Sequence, residues 1–171
     1  MEEIIRRKPR RILHPNSYFH IYNRGNHKKR IFHCNQDYEM FSNILQKYLC
    51  LYRDISLFAY CLMPNHYHLL LKTGSDPQDI VKLMQRFTTS YVRFFNKKYS
   101  QVGHLFQGRY GSKYLPEQND VIRIYQYIKD NPLEAELCSN PKDYKWLWLS
   151  ELLYYNFEKQ LVENAINSSK F

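Results

Sequence analysis

Four residues of this chain could act together in chemistry: His66 and His68, spaced two apart, and Tyr127 and Asn131, spaced four apart. The run Pro64-Asn65-His66-Tyr67-His68-Leu69-Leu70-Leu71-Lys72 reads as a turn followed by a strand. On a strand, residues two apart share a face, so both imidazoles point one way and Tyr67, Leu69 and Leu71 the other. The apolar face packs. The face with two neighbouring imidazoles suits a divalent metal ion. An α-helix turns about 100° per residue, which sets Tyr127 roughly 160° round from Tyr125. Val121, Ile122, Tyr125 and Ile128 share one arc, so Tyr125 is the packing tyrosine and Tyr127 the accessible one. Asn131, four residues on, stacks beside Tyr127.

That set offers a metal site and a nucleophile, and its chemistry fits a phosphodiester. A phenol titrates near 10 and is a weak nucleophile at neutral pH. A divalent cation compensates by polarising the scissile phosphate and stabilising the departing 3′-oxygen. Two imidazoles and an amide oxygen would hold the ion, a mixed nitrogen and oxygen set that suits Mg²⁺ or Mn²⁺. Attack by tyrosine would give a covalent phosphotyrosine. Its bond energy is retained, so a second strand can be joined without ATP.

The elements that must position these residues follow from hydrophobic periodicity. Ser17 to Asn23 predicts an aromatic-rich strand, followed by the basic loop Arg24-Gly25-Asn26-His27-Lys28-Lys29-Arg30. Asp37 to Arg53 predicts an amphipathic helix. Ile55 to Met63 and His66 to Lys72 predict a hairpin. A second helix opens after Asp76-Pro77 and runs to about Tyr99. Gly103 to Leu115 predicts a fourth strand, and Asn119 to Asn131 a third helix stopped by Pro132. The remainder is expected to be helical around Trp148 to Ala165. The order β-α-β-β-α-β-α predicts an α+β, ferredoxin-like or RRM-like fold. It has a four-stranded antiparallel sheet with helices on one face, plus the tyrosine-bearing helix and a C-terminal helical extension. The organisation expected is a basic arm over 1–16, the main domain over 17–138, and an extension over 139–171 that packs on the domain or on a partner.

Composition narrows the partners. The 171 residues carry a net charge of +9, with 16 Tyr and 10 Phe. Basic charge favours a polyanion, and rings interleaved with Lys and Arg favour single-stranded nucleic acid, where bases stack. Arg24, Lys28, Lys29 and Arg30 form the densest basic loop, and Arg109 and Lys113 flank the fourth strand. The four cysteines form no Cys-x-x-Cys pair. No secretory signal and no run long enough to span a membrane stand out, so a cytoplasmic protein with reduced thiols and no membrane partner is expected.

Several motifs, in order, resemble those of the single-tyrosine transposases. Leu62-Met63-Pro64-Asn65-His66-Tyr67-His68 resembles their His-hydrophobe-His (HUH) motif. Tyr22-Asn23-Arg24-Gly25-Asn26 resembles their first-strand motif, and Gly103-His104-Leu105-Phe106-Gln107-Gly108-Arg109-Tyr110 their fourth-strand motif. Tyr127-Ile128-Lys129-Asp130-Asn131-Pro132 resembles their Tyr-x-x-x-Asn-Pro. Asp143-Tyr144-Lys145-Trp146 resembles the REP-associated branch, although Trp146-Leu147-Trp148-Leu149-Ser150 replaces the usual Trp-Ser-Ser run. The likeness spans about Ser17 to Ser150. It implies a metal-dependent nickase and strand transferase acting on single-stranded hairpin DNA through a 5′-phosphotyrosine. The implied roles are Tyr127 as nucleophile, with His66, His68 and Asn131 as ligands of Mg²⁺ or Mn²⁺. Arg24, Asn26, Lys28, Lys29, Arg30, Arg109 and Lys113 are the expected DNA contacts. The branch resemblance favours a monomer acting in cis over a homodimer.

Two other readings compete. A non-catalytic single-stranded nucleic-acid-binding protein could use the same fold, although the aromatic signature of RRM domains is absent. A structural zinc site could use Cys61 with His66 and His68, although no fourth ligand stands at a familiar spacing.

Overall fold

The computed structural model describes residues 13–151 and 153. Five strands form one sheet: β1 (Tyr18–Arg24), β2 (Ser56–Met63), β3 (His66–Lys72), β4 (Gly111–Leu115) and β5 (Leu147–Leu149). Among the described residues, the long helices that accompany them are α1 (Asn35–Leu51), α2 (Asp79–Lys98) and α3 (Gln118–Glu134). The strand order is β4-β1-β3-β2-β5, with every pair antiparallel. The first four strands have the ferredoxin-like order, and β5 adds a fifth at the β2 edge. Among the described residues, no helix is long and apolar enough to cross a membrane.

Alternation along β1 and β3 builds two different layers from the same strands. Phe19 and Ile21 of β1, with Tyr67, Leu69 and Leu71 of β3, face α1 and α2. The helices answer with Phe41, Leu45, Ile80, Leu83, Met84, Phe87, Tyr91 and Phe95 at helical spacing, all buried. Phe41 sits at the centre, meeting the rings of Phe87, Tyr91 and Tyr67 at centroid distances of 4.7, 4.9 and 5.1 Å. Removing such a ring costs about 3–5 kcal/mol, a large share of a typical domain's stability.

The entry to α1 is fixed electrostatically. Asp37 accepts from the backbone N–H of His33 at 2.7 Å and of Cys34 at 3.1 Å, closing a capping box. It also accepts from Lys98 Nζ at 2.6 Å and Tyr99 Oη at 2.7 Å, tying the start of α1 to the end of α2. Burial raises this carboxyl, but the bonds from Lys98, the His33 N–H, Tyr99 and the Cys34 N–H outweigh it and hold it below its ordinary 3.8.

The third helix packs on the opposite sheet face. There Ala59, Cys61, Met63, Leu70 and Leu115 meet Val121, Tyr125 and Ile128. The histidines share this face: His68 stands between Tyr22 of β1 and Cys61 of β2 in register.

Three expectations need correction. The fourth strand is Gly111–Leu115 and not Gly103 to Leu115; the stretch before it is a loop, fastened by the bridge between Gly25 and Phe106 and by the Gln107 N–H donating to the Arg24 carbonyl. The third helix runs through Pro132 to Glu134. A proline so near a helix end removes one bond, and the Ala135 N–H to the Asn131 carbonyl continues the turn. The C-terminal segment begins with a strand, Leu147–Leu149, paired with Ala59, Tyr60 and Cys61, and is helical only after it, at Glu151 and Leu153. An open sheet edge at β2 is a template for any extended segment. Trp146 stacks on Tyr38 at 4.5 Å, and Tyr144 Oη donates to the Leu62 carbonyl at 2.8 Å, which holds the segment there. The rest of the expected helix, from 154 onward, lies outside the described residues, as does most of the basic arm.

Candidate active site

The polar half of the α3-facing sheet surface is assembled by register. Residues Tyr22 and Arg24 of β1 stand opposite His68 and His66 of β3. His20 and Lys113 are partners across β1 and β4. Each histidine of the pair is anchored through Nδ1. His66 Nδ1 lies 2.6 Å from Asn65 Oδ1, and Asn65 Nδ2 donates to the Lys28 carbonyl at 3.2 Å. That second bond orients the amide, so Oδ1 must be the atom facing His66 and the imidazole must donate to it. His66 Nε2 therefore carries a lone pair, 3.4 Å from Asn131 Oδ1. His68 Nδ1 lies 2.9 Å from His20 Nε2, and His68 Nε2 is buried with no hydrogen-bond partner among the described residues.

From above, α3 delivers the tyrosines as the helical arc requires. Tyr125 is 3 % exposed within the apolar cluster, and its hydroxyl donates to the Ser150 carbonyl at 3.2 Å. Tyr127 is 39 % exposed and sets its ring edge-on to His68, centroids 5.2 Å apart, and to His20 at 5.9 Å. The tyrosine and the histidines of one chain thus meet within that chain. Asn131 is buried, one helical turn from Tyr127, at the far side of the site.

Charge favours neutral imidazoles here. Burial pulls His68 down strongly, helped by the neighbouring His20 and His66. Burial, then the Lys113 ammonium, lowers His20. Burial, then Arg24, lowers His66 against the opposing contact with Asn131. Neutral imidazole is the form that ligates a metal.

A divalent cation fits this donor set. His68 Nε2 is a buried nitrogen with no hydrogen-bond partner among the described residues. His66 Nε2 and Asn131 Oδ1, 3.4 Å apart, can each offer an electron pair to an ion. Among the described residues, no cluster of three or more His, Cys, Asp and Glu is arranged to hold a metal, so an ion here would rest on two imidazoles and the Asn131 amide. Cys61 does stand beside His68 in register. Its thiol, however, donates to Met63 Sδ at 3.5 Å, and burial pushes it up to about 12, the protonated state of a packed cysteine.

The basic residues fall into two groups. Arg24 and Lys113 flank the histidines on β1 and β4, both exposed. Lys28, Lys29 and Arg30 are exposed on a turn that passes through left-handed backbone at His27 (φ 51°) and Lys28 (φ 61°). Asn65 ties that turn to His66. Gly25 makes the turn possible, because a Cβ there would overlap the Lys29 carbonyl oxygen. Asn26 is half-buried in the same turn, its N–H donating to the Leu105 carbonyl at 2.8 Å. Arg109 is exposed on the loop before β4, beside Gly108, whose carbonyl accepts from Asn23 Nδ2. None of these cations pairs with an acidic residue among the described residues.

Two residues of this surface were not read from the sequence as members of the site. His20 is one. The other is Tyr22, 44 % exposed and 5.1 Å from the His20 ring. It lies flat over Gly111, where a Cβ would run into the ring. The signal was there: in Tyr18-Phe19-His20-Ile21-Tyr22, alternation puts His20 and Tyr22 on one face and Phe19 and Ile21 on the other.

Comparison with known proteins gives a family and a fold. The family model described as "Transposase IS200 like" matches residues 14–131. No curated protein sequence matches. The structure of a REP-associated tyrosine transposase bound to a REP hairpin matches with a TM-score of 0.69 at 14 % identity, covering 82 % of this chain and 81 % of that one. A transposase structure from Deinococcus radiodurans matches at 0.49 and 19 % identity, covering 72 % and 96 %. The tRNA(His) guanylyltransferase of Saccharomyces cerevisiae matches at 0.51 and 11 % identity, covering 76 % and 63 %. At such identities the likeness is one of fold, and a guanylyltransferase among the matches shows that this fold hosts other reactions. The fold alone does not fix the chemistry; the residues of the site do.

Proposed function

The chain belongs to the IS200-like transposase family, and from that premise we propose that it cleaves and rejoins single-stranded DNA at hairpin or palindromic sequences with Tyr127 as nucleophile. The observation that carries this reading is the meeting of an exposed tyrosine with two Nδ1-anchored histidines and a buried asparagine. A packing role explains Tyr125 and does not explain Tyr127.

In the proposed reaction the Tyr127 oxygen attacks the scissile phosphorus. A bond forms from phosphorus to the phenolic oxygen, and the bond to the 3′-oxygen breaks. The phenolic proton passes to solvent, and the departing 3′-oxygen takes one up. The product is a 5′-phosphotyrosine and a free 3′-hydroxyl. Attack by a 3′-hydroxyl reverses the step, joins the strands and restores Tyr127. Exposure of Tyr127 lets a strand reach it, and the imidazole edges of His68 and His20 fix its ring. His66, His68 and Asn131 would hold Mg²⁺ or Mn²⁺, which when bound polarises the phosphate and stabilises the leaving oxygen.

The DNA path proposed runs from the turn carrying Asn26, Lys28, Lys29 and Arg30, past Arg24 and over Tyr22, to Lys113, with Arg109 at its margin. Phosphate contacts there would supply affinity, with steep salt dependence. The solved relative holds a REP hairpin, which supports hairpin DNA as the substrate class. Tyr127 beside the histidines of its own chain supports a monomer acting in cis.

The test is direct. Purified protein is incubated with hairpin-bearing single-stranded DNA and Mn²⁺, and the products are run on a denaturing gel. A covalent protein–DNA adduct is expected, with none in excess EDTA. Cleavage that persists in EDTA would refute the metal reading. DNA binding without cleavage or adduct would favour a non-catalytic binding protein.

A further inference from the structure

The two histidines of the His-x-His pair are wired alike, each through Nδ1, but by different partners. Asn65 holds His66, and the orientation of Asn65 is itself fixed by the Lys28 carbonyl. His68 is held by another imidazole, so the direction of that bond is not dictated by the partner. There are two arrangements. In one, His20 Nε2–H donates to His68 Nδ1, and the proton of His68 must sit on Nε2. In the other, His68 Nδ1–H donates to His20 Nε2, the proton of His20 sits on Nδ1, and His68 Nε2 carries a lone pair.

The surroundings choose between them. Among the described residues, His68 Nε2 is buried without any hydrogen-bond partner. A proton there would be a buried donor with nothing to accept it, which folded interiors avoid more strictly than an under-used acceptor. A lone pair there instead matches the lone pair on His66 Nε2. His20 is itself 6 % exposed, wedged between the rings of Tyr22 and Tyr127. It has little freedom to turn away.

We propose that His20 is a positioning residue: it accepts from His68 Nδ1–H, locks His68 in the Nδ1–H tautomer, and so presents the Nε2 lone pair to the site. Free imidazole side chains favour the opposite tautomer, so the lock has to be supplied by the fold. Its consequence for metal affinity rests on the metal reading above, but the tautomer itself does not. His20 lies on β1, outside the His-x-His strand, which makes the first strand a working part of the site and not only its neighbour.

The experiment labels histidine nitrogens in the full-length, metal-free protein and records long-range proton–nitrogen correlation spectra. In the wild type, both His66 and His68 are expected as Nδ1–H tautomers. In His20→Leu, His68 is expected to shift toward Nε2–H, while His66, wired by Asn65, stays unchanged as an internal control. In His20→Gln, whose side-chain oxygen can accept, His68 should keep the wild-type pattern. A wild-type His68 in the Nε2–H form, or a His68 unaltered by His20→Leu, would overturn the proposal. Should His20→Leu fail to fold, the wild-type spectrum and His20→Gln still decide it: a shift of His68 toward Nε2–H in His20→Gln would count against it. Mn²⁺ titration by calorimetry forms the second arm. His20→Leu should weaken binding about 10- to 100-fold, the usual effect of removing a partner that orients a ligating histidine, and His20→Gln less. Unchanged affinity in His20→Leu would refute the positioning role. No Mn²⁺ binding by the wild type would sink the metal reading, and the nitrogen spectra would still settle the tautomer.

Discussion

The two faces of one sheet do opposite work with the same strands. On the α1 and α2 face, Phe19, Ile21, Tyr67, Leu69 and Leu71 are at most 1 % exposed and meet rings from both helices. On the α3 face, the intervening residues of β1 and β3 include His20, Tyr22, Arg24, His66 and His68, and α3 covers them only in part. A buried imidazole nitrogen without a partner destabilises a fold. It persists on the second face because the first is packed well enough to hold β1 and β3 in register. The contrast assigns separate consequences to changes on each face: chemistry without stability on one, stability without chemistry on the other.

The largest effect should come from the active face. Tyr127→Phe removes one hydroxyl from an exposed ring, so adduct formation should fall below detection while unfolding free energy moves by less than about 0.5 kcal/mol. Tyr125→Phe, on the apolar arc of the same helix, should cut at close to the wild-type rate. Adduct gels and urea melts on both variants check this. An active Tyr127→Phe beside a dead Tyr125→Phe would reverse the assignment of faces.

Next comes the packed face. Phe41→Ala should cost about 3–5 kcal/mol in urea unfolding, with cleavage per folded molecule little changed at low temperature. A loss below about 1 kcal/mol would mean that the aromatic cluster around Phe41 does not hold the sheet. The comparison would fail too if cleavage dropped while the protein stayed folded.

A smaller effect on the same layer is sensitive to pH. Asp37→Ala removes the acceptor shared by the α1 cap and the end of α2, for about 1.5–3 kcal/mol near neutrality. Because the folded carboxyl is held below its ordinary 3.8, its contribution is complete above that value. It is lost as pH falls through the lower folded value. The gap between wild type and variant should therefore be constant from pH 5 to 8 and close below about pH 4. A gap that widens in acid would contradict the sign.

How much of this was legible in the sequence follows the same division. The hairpin, the two amphipathic helices and the opposite placement of Tyr125 and Tyr127 come from local periodicity, and the structure shows them. Alternation places His20 on the polar face of β1, but its contact with His68 depends on pairing between β1 and β3, 48 residues apart in the chain, which no local pattern specifies. The fourth strand is shorter than its apolar run because Leu105 and Phe106 are apolar without being paired in the sheet, apart from the bridge between Phe106 and Gly25. The short β5 is hidden at the start of the expected helix because Trp148 and Leu149 continue its apolar pattern, while the open edge of β2 decides otherwise locally.

The last prediction expects no effect at all. Tyr127→Phe and His66→Ala should each be inactive, one lacking the nucleophile and the other a ligand. If the tyrosine of one chain served the histidines of another, mixing the two would create hybrid sites with an intact member of each kind, and activity would return. Within a single chain, the Tyr127 ring already lies 5.2 Å from His68 and the Asn131 amide 3.4 Å from His66. The link from β4 to α3 is only Pro116 and Glu117, and two residues span at most about 7 Å. Moving α3 to a partner would therefore require β4 or the start of the helix to come apart, with loss of the contacts of Leu115, Val121 and Tyr125 in the apolar cluster. The mixture should stay inactive at every ratio and at high protein concentration, read as adduct on a denaturing gel. Recovery on mixing would show that α3 exchanges between chains and would overturn the cis assignment, while leaving the roles of Tyr127 and His66 intact.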